Sequence, residues 1–296
     1  MKHAIDPKID CVFKALLGAE NNLNLLIHFL NAILNNDLDA PIENVEILNP
    51  YNDKEFLNDK LSIVDVKARD TVGTIYQIEI QLLNYAHLPA RILYTWADIY
   101  SQQLQGGEKY HQLRPTYSIW LLGENLIKDD SDYIHTFKIR DNKGRCLNQH
   151  CGIWLLELKK FNAQQIENEQ QRWLNFFKTG EQLNDNGLPD WMTTNEMRQA
   201  MSTLQQFSEK ERDYHAYQAR LNYLRQQGTI EWERDNERQA KEEALQAKEA
   251  ERQAKEEALQ AKEAERQAKE EALQAKEAAL AEIERLKALL EKSQLN

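Results

Sequence analysis

The chain has 296 residues, 42% of them hydrophobic, with 37 Lys and Arg against 48 Asp and Glu for a formal net charge of -11. That length allows one large domain or two with a substantial core, while the acidic balance argues against an extended, sequence-independent grip on nucleic acid. No charged-then-apolar leader opens the chain and no apolar run reaches the roughly 18 residues of a membrane span, so a soluble, cytoplasmic protein is expected.

In chain order, Asp6-Pro7 reads as a helix cap with proline in the first turn. Ile9, Val12, Phe13, Leu16 and Leu17 then fall at helical spacing up to Gly18. Asp10 and Lys14 are four apart, share a face, and read as an i,i+4 pair. Residues 22–34 form a second helix with Leu23, Leu26, Ile27, Leu30 and Ile33 along one side. A strand is expected at 45–48, followed by a polar loop over 51–60.

Residues 61–84 read as two strands around a turn. Val64, Val66 and Ala68 alternate with Ile63, Asp65 and Lys67, and Ile78, Ile80 and Leu82 alternate with Gln77, Glu79 and Gln81. The reversal falls at Asp70-Thr71-Val72-Gly73. Paired this way, Asp65 comes opposite or diagonal to Glu79, with Cβ atoms about 5 to 8 Å apart. Two readings stand: a site where a divalent cation neutralises the two acids, or a hairpin with one wet face on which all the polar residues are solvated.

Beyond the hairpin, residues 89–104 show the 3.6 period, with Ile92, Leu93, Trp96, Ile99, Tyr100 and Gln103 inward and Gly106-Gly107 closing the run. Strands follow at 117–122, 133–139 and 152–158, the first and third apolar enough to be central. Strands flanked by helices on this scale give an α/β (α+β) core. Cys11, Cys146 and Cys151 are too few for a disulfide framework, and Cys146 and Cys151 with His150 lack a second ligand pair for zinc. From 166 onward the pattern is helical, with Trp173, Leu174, Phe176 and Phe177 as core and two further helices at 195–207 and 209–224.

The tail is a different material. The fourteen residues RQAKEEALQAKEAE at 238–251 recur identically at 252–265 and almost so at 266–279. Two heptads suggest a coiled coil, yet Leu245, Leu259 and Leu273 alternate with Arg252 and Arg266, which makes a poor seam. A long charged single helix, supported by Glu237 with Lys241, Glu251 with Lys255 and Glu265 with Lys269, is the rival. Leu280, Ile283, Leu286 and Leu290 make the ordinary apolar stripe through which a homo-oligomer would form. The expected division is 1–160, 161–230 and 231–296.

Asp65 followed fourteen positions on by Glu79-Ile80-Gln81, with Asp10-Cys11-Val12-Phe13-Lys14 before and Arg91, Tyr94, Tyr100, Gly107 and Tyr110 after, resembles the PD-(D/E)XK nuclease family transposases, the recombination-promoting nuclease group. The likeness spans residues 5–124. It implies a restriction-endonuclease-like core in residues 1–160, followed by a helical region and the charged tail. It also implies a DNA endonuclease that promotes recombination and uses Mg²⁺ held by Asp65, Glu79 and the backbone carbonyl of Ile80. Gln81 stands where the wider superfamily has a lysine and is carried as the third catalytic residue. Lys60 or Lys67 would supply the charge that Gln81 lacks, or each is an ordinary solvated lysine; Lys14, Lys67 and Arg91 would face DNA, and the likeness places Asp10 and Lys14 at the rim of the active site. The alternative is a nuclease fold whose activity has lapsed and which works as an interaction or oligomerisation protein through its helical tail.

Overall fold

Alternating apolar residues in 66–80 build the strands on which the sheet assembles. The computed structural model describes residues 2–50, 64–183 and 187–294; the expected loop at 51–60 and Lys60 lie outside them. Six strands run β1 (Val45–Ile47), β2 (Val66–Asp70), β3 (Ile75–Gln81), β4 (Thr116–Leu122), β5 (Ile134–Phe137) and β6 (Cys151–Glu157). Their order in the sheet is β1-β2-β3-β4-β6-β5. The β1, β2 and β3 pairings are antiparallel, β3, β4 and β6 are mutually parallel, and β5 returns antiparallel on β6. This is a mixed α/β architecture consistent with a PD-(D/E)XK-like fold.

Strand alternation divides the core into two layers. Tyr76, Ile78 and Ile80 of β3 pack with Ile119 and Leu121 of β4 against α1 (Asp10–Leu17), α2 (Leu23–Leu34), α4 (Glu169–Thr179) and α5 (Asn195–Glu209). Phe29, Trp173 and Phe177 interlock there edge to face and stacked. The opposite layer joins Leu88, Ile92 and Trp96 of α3 (Leu88–Ser101) to Trp120, Leu122, Ile153 and Leu155. By internal contacts the chain divides into two units, Met1–Gln226 and Gln227–Asn296.

Several expectations need correction. The first helix starts at Asp10, because Asp6 instead closes a turn in which its carboxylate accepts the Lys8 N–H and its carbonyl the Ile9 N–H. Asp10 and Lys14 do not pair with each other; tertiary partners described below take both. The wet-face reading fails, since Gln77 and Glu79 are buried between flanking strands and beneath α3. Leu93 points outward. The strand expected at 133–139 is limited to Ile134–Phe137, and the last two helical segments form one helix, α6 (Glu211–Gln294), uninterrupted at Gly228.

In the tail the three expected Glu-Lys pairs are present, at 3.7, 2.5 and 2.6 Å. Among the described residues no helix is long and apolar enough to cross a membrane.

The β2–β3 turn is tied by one side chain. Asp70 Oδ1 accepts the N–H groups of Val72 and Thr74 at 3.0 and 2.8 Å, and Oδ2 accepts the Tyr76 hydroxyl at 2.8 Å. Gly73 sits at φ +93°, which only glycine adopts without strain. Asp70→Ala strands three donors and is expected to lower stability by about 2 to 3 kcal/mol in denaturant unfolding. A loss under about 0.5 kcal/mol, the range of an ordinary surface change, would show that the turn holds without it.

Candidate functional site

The site forms where β2 leaves the ladder. Val66 pairs with Ile78, so Asp65, in the bend just before β2, comes level with Glu79. Along β3, Ile75 N–H and Gln81 C=O bond toward β4 and its flanks, which turns the backbone groups of Ile80 toward β2. With no strand residue there to receive it, the Ile80 N–H donates to Asp65 Oδ2 at 3.0 Å. The Ile80 carbonyl lies on the same edge. Asp65, Glu79, Ile80 and Gln81 thus line one cleft of about 180 Å³, together with Lys8, Asp10, Tyr85, Arg91, Arg220 and Tyr223.

Glu79 is 3% exposed. Its carboxylate accepts a hydrogen bond from Gln77 Nε2 at 3.4 Å, and Gln77 is fixed in turn by Ser118 Oγ, which takes the Trp120 indole N–H. Burial, then the nearby Asp65 charge, push the Glu79 carboxyl up to about 8; Arg91 and the Gln77 bond pull the other way. A polar relay behind the strand holds an acid that resists ionising.

Cations gather around the carboxylates. Lys14 Nζ lies 3.2 Å from Asp65 Oδ1, and Arg91 lies 3.8 Å from Glu79 Oε2 while its guanidinium rests 5.5 Å above the Trp120 ring. Arg91 also donates to Gln81 Oε1 at 2.9 Å, and Gln81 Nε2 donates to the Leu83 carbonyl at 2.7 Å. Asp10 is held by Arg220 at 2.9 Å, and Arg220 packs over Tyr223.

Of the residues singled out in the sequence, Asp65, Glu79, Ile80, Gln81 and Arg91 line one cleft, and Lys14 touches Asp65 from outside its lining. Lys67 stands opposite Gln77 and lines a separate cleft of about 860 Å³ with Arg69, Tyr94 and Arg114. The i,i+4 spacing concealed the Lys14 contact. Arg220, Tyr223 and the Gln77–Ser118 relay carried no local signal at all. His150 meets the Tyr100 hydroxyl and Cys146 donates to the Asn148 carbonyl.

A profile of the PD-(D/E)XK nuclease family transposases matches residues 7–233 of the chain. The chain belongs to this family. Neither a curated protein nor a solved structure matches it. The match takes in every strand, helices α1 to α5 and the start of α6, so the family unit includes Arg220 and Tyr223. Membership carries a nuclease or recombination-related role, with DNA as the implied substrate.

PD-(D/E)XK nucleases typically use divalent metals, and the donor set fits one. Two carboxylates and a carbonyl, all oxygen, suit a hard cation that keeps several waters. Among the described residues no three His, Cys, Asp or Glu side chains cluster for a metal, so any ion here would depend on that carbonyl and on water.

A carboxyl whose pKa rises on folding lends stability below its unfolded value and loses it as pH climbs through the folded value. For Glu79 that window runs from 4.5 to about 8. In metal-free protein, Glu79→Gln keeps the shape and cannot ionise. It is expected to raise Tm by several degrees near pH 9, where wild type carries the buried charge, and to change it little near pH 5. Thermal melts showing the same shift at both pH values would refute the assignment.

Proposed function

We propose that this family member is a Mg²⁺-dependent DNA endonuclease whose phosphodiester cleavage promotes recombination. The carrying observation is the meeting of Asp65 and Glu79 at one strand end beside the backbone edge of Ile80. Asp65, Glu79 and the Ile80 carbonyl would hold the ion. Once bound, Mg²⁺ supplies Lewis-acid activation of water and of the phosphoryl oxygen.

The chain's own groups do the positioning. Arg91, braced on Trp120, presents its planar fork to a phosphate entering the cleft. Tyr85 and Tyr223 wall the opening. Lys67, with Arg69 and Arg114 in the neighbouring cleft, offers a local basic surface for the DNA backbone on an otherwise acidic protein.

A second reading has its own support. Gln81 brings no charge and has its amide oxygen and nitrogen both engaged, while Lys14 and Arg91 already neutralise the two acids. These features also suit a lapsed nuclease fold acting through its helical tail. Supercoiled plasmid with Mg²⁺ separates the two. Wild type is expected to nick it, and Asp65→Ala or Glu79→Ala to slow nicking at least about 100-fold with the fold retained. Equal inertness of all three across divalent metals would favour the lapsed reading.

The tail's Leu280, Ile283 and Leu286 are exposed, and through them the C-terminal helices would join a second copy of the chain. Light scattering is expected to give a dimer or larger for the full chain, and a monomer when all three become Gln. A wild-type monomer at high concentration would remove this contact.

A further inference from the structure

Position 81 of β3 cannot do what a lysine would do there. Gln81 Oε1 accepts from Arg91 and Nε2 donates to the Leu83 carbonyl, which fixes the amide in place, and it carries no charge. Lys67 lines a different cleft, Lys8 is held by Asp6 and Arg220 by Asp10, and Arg91, given above to the phosphate, stands against Glu79 and not Asp65. One ammonium among the described residues stands against Asp65: Lys14, 3.2 Å from Oδ1.

The backbone of Lys14 is fixed and its head is not. Val12, Phe13, Leu16 and Leu17 of α1 are fully buried and anchor the helix, whereas the Lys14 side chain is 42% exposed against 13% for Asp65. A long flexible stem on a rigid helix lets the charge shift by an ångström or two without disturbing the core.

We infer that Lys14 supplies from helix α1 the positive charge that β3 lacks, contacting the scissile phosphate and the attacking water. The inference rests on the nuclease reading. In the free protein Lys14 screens Asp65 from Glu79; with ion and DNA in place it passes from Asp65 to a non-bridging phosphate oxygen. It remains an ammonium throughout and transfers no proton. Hydrolysis adds one water across the P–O bond, hydroxyl to phosphorus and proton to the departing oxygen.

Two measurements on the full chain test this: single-turnover plasmid nicking, and calorimetric binding of Mn²⁺ without DNA. Lys14→Met is expected to slow nicking about 100-fold. It should also bind Mn²⁺ about fivefold more tightly, because Asp65 loses a competing cation. Lys14→Arg should recover at least about tenfold of the lost rate, since it restores the charge. Nicking by Lys14→Met at the wild-type rate overturns the inference and leaves the nuclease reading standing. A parallel loss of rate and Mn²⁺ affinity also overturns it, as that marks a purely structural lysine. If Lys14→Met does not fold, Lys14→Arg decides: cleavage within tenfold of wild type supports the role, and complete loss by a folded protein overturns it. A wild type that neither binds Mn²⁺ nor nicks DNA removes the nuclease reading, and the inference falls with it.

Discussion

Two carboxyl groups brought level at the end of a strand pair are the constraint on which this protein depends. Repulsion between Asp65 and Glu79 would ordinarily open such a pairing, and burial of Glu79 adds a desolvation cost. The protein offsets both with Lys14, Arg91 and the Ile80 N–H on one side, and with the Gln77–Ser118–Trp120 relay on the other. The supports come from several elements of the unit. α1 brings Lys14, α3 brings Arg91, β4 brings Ser118 and Trp120, and the first turns of α6 bring Arg220 to hold Asp10.

The hairpin was legible because its signals are local. Period-two alternation set the faces, an Asp-Gly reversal set the turn, and together they placed Asp65 against Glu79 before any fold was known. The burial of Gln77 and Glu79 was not legible, since it follows from the parallel neighbour β4, some forty residues away in sequence, and from the lid of α3. Lys14 shows how a local rule misleads. Four-residue spacing points to Asp10, but an exposed helix pair contributes only a few tenths of a kcal/mol, and two tertiary partners outcompete it. Arg220 lies 210 positions from Asp10, beyond any pattern a window can read.

The acidic balance of the whole chain says little about this site. Around the cleft, positive groups match or exceed the carboxylates, with Lys8, Lys14, Arg91 and Arg220 beside Asp10, Asp65 and Glu79. Net charge acts over distances that salt screens within about 10 Å, whereas a phosphate in the proposed site would meet these groups at contact range. An acidic protein and a phosphate-binding cleft are therefore compatible.

The tandem fourteen-residue units of α6 have a consequence for how this chain can vary. At 1.5 Å per residue, gaining or losing one unit lengthens or shortens the rod by about 21 Å. Fourteen residues also make about 3.9 turns, so each unit rotates whatever lies beyond it by roughly 40° short of a full circle. Because the side chains in these units are exposed and the charge pairs lie within the helix, no packed interior in the described residues would register the change. Gain or loss of a unit would thus shift the position and facing of the distal leucines along this helix in fixed steps.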